Sequence, residues 1–170
     1  MPAALLNNQI AIMKIRAAVA TDAKWISDMI RSLSHFFLVS PEGKGAEAFF
    51  KSINEESVRR YIEAQNFACY VAEIDEEAAG VVAIRDYKHL FHLFVLPKYQ
   101  GRGVGRQLWA HVQREAIENG NKGQFTVNAS LNAIPVYLAF GFTAAGEVVE
   151  SHSVSFLPMR MLPTKDSDFV

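Results

Sequence analysis

The residues with the clearest chemical potential lie between Leu93 and Leu108. There the chain reads Leu93-Phe94-Val95-Leu96-Pro97-Lys98-Tyr99-Gln100-Gly101-Arg102-Gly103-Val104-Gly105-Arg106-Gln107-Leu108. An apolar strand-like run enters a turn with glycine at 101, 103 and 105, and the turn opens a helix-like run. Such a turn leaves several backbone N–H groups unpaired, and the helix dipole adds positive potential at the same place. Together they make an anion site suited to a phosphate or pyrophosphate. Glycine lets the backbone approach the phosphate without a side chain in the way. The dinucleotide fingerprint wants glycine at its first, third and sixth positions, but after Gly101 and Gly103 the sixth position is Arg106. The lysine-serine/threonine pair of a P-loop is absent as well. Arg102 and Arg106 form a local basic patch.

Further elements must position this turn. Residues 12–18 alternate and read as a strand. Thr21 or Asp22 can cap a helix whose apolar residues Trp25, Ile26, Met29, Ile30 and Leu33 fall at helical spacing. Residues 35–43 read as a loop with an apolar anchor, 47–53 as a short helix, and 55–64 as a helix capped by Asn54. Residues 67–74 and 80–85, joined by a polar turn, read as an antiparallel hairpin. A third strand follows at 89–96, ended by Pro97. After the glycine turn come a helix over 104–119 closed by Gly120, a strand over 124–129, a short helix over 133–140 ended by Gly141, and strands over 142–149 and 153–161. This order predicts one α/β (α+β) domain over 1–170 with its core at 12–161 and a loose polar tail.

The overall balance excludes some partners. Lysine plus arginine number 17 against 18 acidic residues, so clustered positive charge for nucleic acid or an anionic membrane is not expected. The segment 1–8 lacks the basic start of a signal peptide, and no apolar run reaches the length of a membrane helix. A single cysteine, Cys69, rules out an internal disulfide and reads as a small core residue. A cytoplasmic setting is the expectation. No histidine, cysteine or acidic cluster suggests a metal.

Read as Gln-x-x-Gly-x-Gly at Gln100, Gly103 and Gly105, the turn resembles the acetyl-coenzyme A pyrophosphate motif of the GNAT acetyltransferase superfamily. The preceding Val95-Leu96-Pro97-x-Tyr99 and the following Arg106-x-Leu108 agree with it. So does Tyr137-x-x-x-Gly141-Phe142 after Asn128 to Pro135, and, less specifically, Ile15-Arg16-x-Ala18 with Asp22-Ala23. The resemblance implies a GNAT fold: a mixed, mostly antiparallel sheet of six to seven strands with a central splay, flanked by about four helices.

It further implies an N-acetyltransferase that moves an acetyl group from acetyl-coenzyme A, its co-substrate, to a primary amine. The backbone of Phe94, Val95 and Leu96 would pair with pantetheine like an added strand. The backbone of Gln100, Gly101, Arg102, Gly103, Val104, Gly105 and Arg106 would hold the pyrophosphate, and Asn128 and Asn132 would bond the cofactor arm. Tyr137 matches the family tyrosine that protonates the departing thiolate. The general base is left open between His89, His92, a water chain and an acidic residue such as Glu73. His89 and His92, three apart on a strand, should point to opposite faces unless a bulge intervenes. Phe36, Phe37, Phe49 and Phe50 could wall the acceptor site or simply pack. The acceptor would be a small-molecule or peptide amine, and the C-terminal strands offer a surface for a homodimer. A catalytically silent acyl-coenzyme A sensor is the alternative reading.

Overall fold

The computed structural model describes residues 12–164. The expectations for segment 1–8 and for the tail beyond Thr164 lie outside the described residues. Eight strands form one sheet: β1 (Met13–Ala17), β2 (Phe67–Ile74), β3 (Glu77–Arg85), β4 (His89–Val95), β5 (Phe125–Ser130), β6 (Thr143–Ala144), β7 (Val149–Ser151) and β8 (Val154–Met161). Their order is β1-β2-β3-β4-β5-β8-β6, with β7 also on β8. Every pairing is antiparallel except β4 with β5. The count exceeds the expected six to seven because the run 142–149 breaks into β6 and β7, which flank an exposed turn.

Among the described residues five α-helices cover the two faces: α1 (Ala23–Leu33), α2 (Glu47–Ser52), α3 (Glu55–Glu63), α4 (Val104–Glu118) and α5 (Ile134–Phe140). On one face α1 and α3 bury Ile26, Ile30 and Val58 against Val71, Val81 and Ala83 of the sheet. On the other, α4 buries Leu108, Trp109 and Val112 against Val82, Ile84 and Leu90. Buried residues on α1 recur at 26, 29, 30 and 33, the stripe that one helix face presents. Asn54 caps α3 as expected, accepting the Ser57 N–H at 2.8 Å. The start of α1 differs from expectation. A 3-10 turn, Ala20–Asp22, precedes it, and the Asp22 carboxylate accepts the Val19 N–H at 2.8 Å instead of a helix N–H. Asp22 also pairs with Arg16, which reaches Glu73 at 2.7 Å. The guanidinium hydrogen bond holds the Asp22 carboxyl below the usual carboxylate range.

Two irregularities shape the middle of the sheet. Along β4 the register against β3 shifts, with Ala83 opposite His92 but Ile84 opposite Leu90, so Phe91 is an extra residue. Such a bulge bends its strand. The parallel pairing of β4 with β5 is confined to His89↔Thr126 and Leu90↔Val127, and ends where the bulge begins. Beyond it the two strands part, which is the splay expected from the sequence.

Candidate active site

The parting of β4 from β5 opens a cleft of about 870 Å³ that passes through the sheet. Leu93, Val95, Tyr137 and Phe140 line it from the α4–α5 side. Phe37, Phe49, Phe91 and Phe94 line it from the α1–α3 side. The glycine turn stands at one end.

That turn is held from below. Tyr99 is buried and its hydroxyl donates to Glu77 at 2.7 Å, beside Lys98 at 2.8 Å from the same carboxylate oxygen. The Gln100 side-chain amide donates to the Val95 carbonyl at 2.9 Å, tying the turn to the end of β4. Gly101 and Gly103 adopt φ of +76° and +79°, the left-handed region that disfavours any side chain. A Cβ built on either meets nothing within 4 Å, so the space over the turn is open. Gly103 caps α4, and the Gln107 N–H is the first to find an intrahelical carbonyl, that of Gly103, at 3.0 Å. The N–H groups of Val104, Gly105 and Arg106 therefore have no intrahelical acceptor. No acidic residue sits in this first turn. The arrangement fits a pyrophosphate.

Of the residues assigned to this end, Gln100, Gly101, Gly103, Val104, Gly105, Arg106, Asn128 and Asn132 all line the cleft. Arg102 does not; its guanidinium lies over the Tyr99 ring, 5.7 Å from the centroid. Leu96 does not either, and its N–H donates to Ala79 on β3 at 2.9 Å. That bond fixes the alternation along β4. The Val95–Gly80 pair is a non-hydrogen-bonded one, so Phe94 bonds across to Val81 and its backbone is taken up by β3. The N–H groups of Val95 and Leu93 face the gap. Of the three residues expected to offer backbone, Phe94 and Leu96 therefore bond to β3, and Val95, together with Leu93, keeps its N–H toward the gap.

The two histidines differ in position, but not in the way simple alternation implies. His92 pairs with Ala83 and His89 with Arg85, which lie two apart on β3, so the bulge brings both histidines to the same face. Only His92 lines the cleft. His89 Nδ1 is 2.8 Å from Thr126 Oγ1 at the closed part of the β4–β5 pair, and burial together with Arg85 lowers its pKa. His92 is buried among Tyr61, Phe91 and Phe94, with ring centroids 5.5, 4.3 and 5.5 Å away. Burial pushes its pKa down to about 3, opposed by a hydrogen bond to the Phe91 carbonyl. Its Nε2 has no partner among the described residues. Glu73 is ion-paired to Arg16, away from the cleft.

Tyr137 lies on α5, whose end is fixed by Gly141 at φ +102°. Edge contacts from Phe140 and Phe142, at 6.1 and 5.7 Å between centroids, hold its ring. It lines the cleft and is 6% exposed, and burial alone raises its pKa. It therefore stays a protonated phenol at neutral pH.

Phe36, Phe37 and Phe49 line the cleft as the sequence suggested, but Phe50 packs beneath Arg31 instead. Phe91, Val154, Ser155 and Phe156 also line it and were not anticipated. They reach the cleft through the bulge and through the bond of Ser155 N–H to the Phe37 carbonyl at 3.2 Å, neither of which leaves a local mark in the sequence.

The sheet is thus split by a cleft with a left-handed glycine turn at one end and a buried phenol in its wall. The chain belongs to the GNAT acetyltransferase family, whose sequence profile, described as an acetyltransferase (GNAT) domain, matches residues 37–163. Solved structures share the fold. A GCN5-related N-acetyltransferase from Rhodopseudomonas palustris is 22% identical with a TM-score of 0.72, over 86% of this chain and 93% of its own. PaiA N-acetyltransferase from Thermoplasma acidophilum, in complex with coenzyme A, is 15% identical with a TM-score of 0.70, over 88% and 98%. A variant of the spermidine N-acetyltransferase SpeG from Vibrio cholerae is 18% identical with a TM-score of 0.64, over 92% and 96%. No curated protein sequence matches the chain. Among the described residues no helix is long and apolar enough to cross a membrane, and no group of three or more histidine, cysteine or acidic side chains could hold a metal.

Proposed function

We propose that the protein is an N-acetyltransferase that moves the acetyl group of acetyl-coenzyme A to a primary amine by direct attack on the thioester. The observation that carries this reading is one cleft joining the left-handed glycine turn, the unpaired edge of β4 and the buried phenol of Tyr137. The turn and the first N–H groups of α4 would hold the pyrophosphate. Val95 and Leu93 would hold pantetheine, and the Leu93 N–H, farther from the turn, is the better placed to polarise the thioester carbonyl.

The neutral amine attacks that carbonyl carbon. The C–N bond forms, the C–S bond breaks, and the Tyr137 hydroxyl gives its proton to the departing thiolate. His92 cannot carry a proton near neutral pH with its pKa lowered to about 3. The ammonium proton leaves through water in the open cleft. His89 takes no part, because it lies outside the cleft. A cytoplasmic setting fits Cys69, buried in the sheet with its thiol pushed up to about 12.

The test pairs calorimetry of acetyl-coenzyme A, ATP and NAD with thiol release against a panel of primary amines. Acetyl-coenzyme A binding with amine-dependent thiol release is the expected result. Tight ATP binding without coenzyme A binding would sink the reading. Cofactor binding with no release from any amine would favour the silent sensor.

A further inference from the structure

Resting on the transferase reading, we propose that the acceptor is a primary amine carried on an uncharged, ring-bearing apolar group, with no second charge. The acceptor end of the cleft is walled by Leu33, Phe37, Phe49, Phe91, Phe94 and Phe156. Phe37 meets Phe49 edge-on at 5.1 Å and lies 6.2 Å from Phe94. These rings bound open space, with Phe36 at its edge left 47% exposed. Faces and edges of aromatic rings around such a gap favour another ring.

Charge argues the same way. Among the described residues that line the cleft there is no aspartate or glutamate, and Arg106, at the glycine turn, is the one cation. A polyamine or a lysine-rich peptide would bring additional ammonium groups with no carboxylate to meet them. Desolvating such a charge unpaired is heavily unfavourable. A free amino acid would bring a carboxylate with no cation at this end to receive it. His92 Nε2 is buried among Tyr61, Phe91 and Phe94, out of reach of a ligand, so it gives a second ammonium no acceptor.

The wall is also closed on one side. Val39 N–H donates to the Ser153 carbonyl at 2.8 Å, and Ser155 N–H to the Phe37 carbonyl at 3.2 Å. Leu38 bridges Val154 between them. These bonds strap the segment after α1 to the β7–β8 hairpin, so the acceptor's body must fit within the cleft.

The experiment measures kcat/KM with acetyl-coenzyme A for 2-phenylethylamine, spermidine and a lysine-bearing tetrapeptide, alongside calorimetry of acetyl-coenzyme A itself. The expected preference for 2-phenylethylamine is on the order of 30- to 100-fold, the yield of burying one ring. Phe49→Ala should raise its KM roughly tenfold and leave acetyl-coenzyme A affinity in place. Phe49→Glu should move the preference toward spermidine. Spermidine or the peptide outpacing 2-phenylethylamine in the parent protein, or no response of KM to Phe49→Ala, would overturn the proposal while leaving the transferase intact. If no amine is turned over, binding of 2-phenylethylamine to the coenzyme A-loaded protein decides: none overturns the proposal. Loss of acetyl-coenzyme A binding itself would remove the transferase reading and this inference with it.

Discussion

The two ends of the cleft are built by different means. The phosphate end is made of backbone: left-handed Gly101 and Gly103, the free N–H groups that start α4, and the edge of β4. The acceptor end is made of side chains brought together from the end of α1, α2, the β4 bulge and β8. Backbone sites depend on conformation and tolerate little beyond glycine, whereas a side-chain wall can be exchanged without disturbing the fold. One end is therefore suited to a fixed ligand and the other to a variable one.

The largest effect expected from breaking this contrast comes from the backbone end. Gly103→Asp forces a β-carbon into φ +79° and sets a carboxylate against the phosphate position. Acetyl-coenzyme A affinity should fall by at least about a thousandfold, read by calorimetry, with the folded state intact by circular dichroism. Retained affinity would mean that the turn is not the phosphate site. Next in size is Tyr137→Phe, which keeps the ring packed against Phe140 and Phe142 and removes only the hydroxyl. Turnover should drop on the order of a hundredfold while acetyl-coenzyme A binding holds. Equal turnover would remove Tyr137 from the chemistry.

The same contrast explains what could be read from the sequence. The glycine turn is contiguous, and its requirement for positive φ is written in residue type, so the place of Gln100, Gly101, Gly103, Val104 and Gly105 on the cleft was legible, whereas Arg102 turns away over Tyr99. Tyr137 was legible through its spacing to Gly141 and Phe142. The succession of strands and helices along the chain followed from alternation and turn residues, but the order of strands across the sheet did not. The strand backbone was legible in location but not in phase. Which N–H groups face the gap depends on the bond from Leu96 to Ala79, so of Phe94, Val95 and Leu96 only Val95 faces it, joined by Leu93. The acceptor wall was mostly illegible, because Phe91 turns with His92 only through a one-residue bulge and Phe156 arrives from a distant hairpin. Such contacts depend on three-dimensional register and leave no spacing rule along the chain.

The two ends meet at Gly80, beneath β4. A Cβ there would lie 2.8 Å from the Phe94 carbonyl oxygen and 3.2 Å from Leu108 Cδ1. Gly80→Ala should cost about 2 kcal/mol in urea unfolding. It should also worsen KM for both substrates, since β4 carries the Leu93 and Val95 amides on one side and the Phe94 ring on the other. Unchanged stability with unchanged KM would mean that β4 shifts freely and does not fix the geometry of either end.

The smallest effect tests the dryness of the acceptor end. His92 has a folded pKa of about 3, below its unfolded value near 6.5. Its contribution to stability is therefore fully present above pH 6.5. As pH falls below that value the unfolded chain takes up a proton that the folded protein refuses, and stability declines by up to about 1.4 kcal/mol per pH unit toward pH 3. Urea unfolding followed by tryptophan fluorescence at pH 7.5, 6 and 5, in the parent and in His92→Gln, isolates this slope from the carboxylates. The variant should be less sensitive to pH across that range. Equal slopes would mean that the folded protein accepts a charge on His92, so the acceptor end can host a cation, and the division between a polar phosphate end and an apolar acceptor end would not hold.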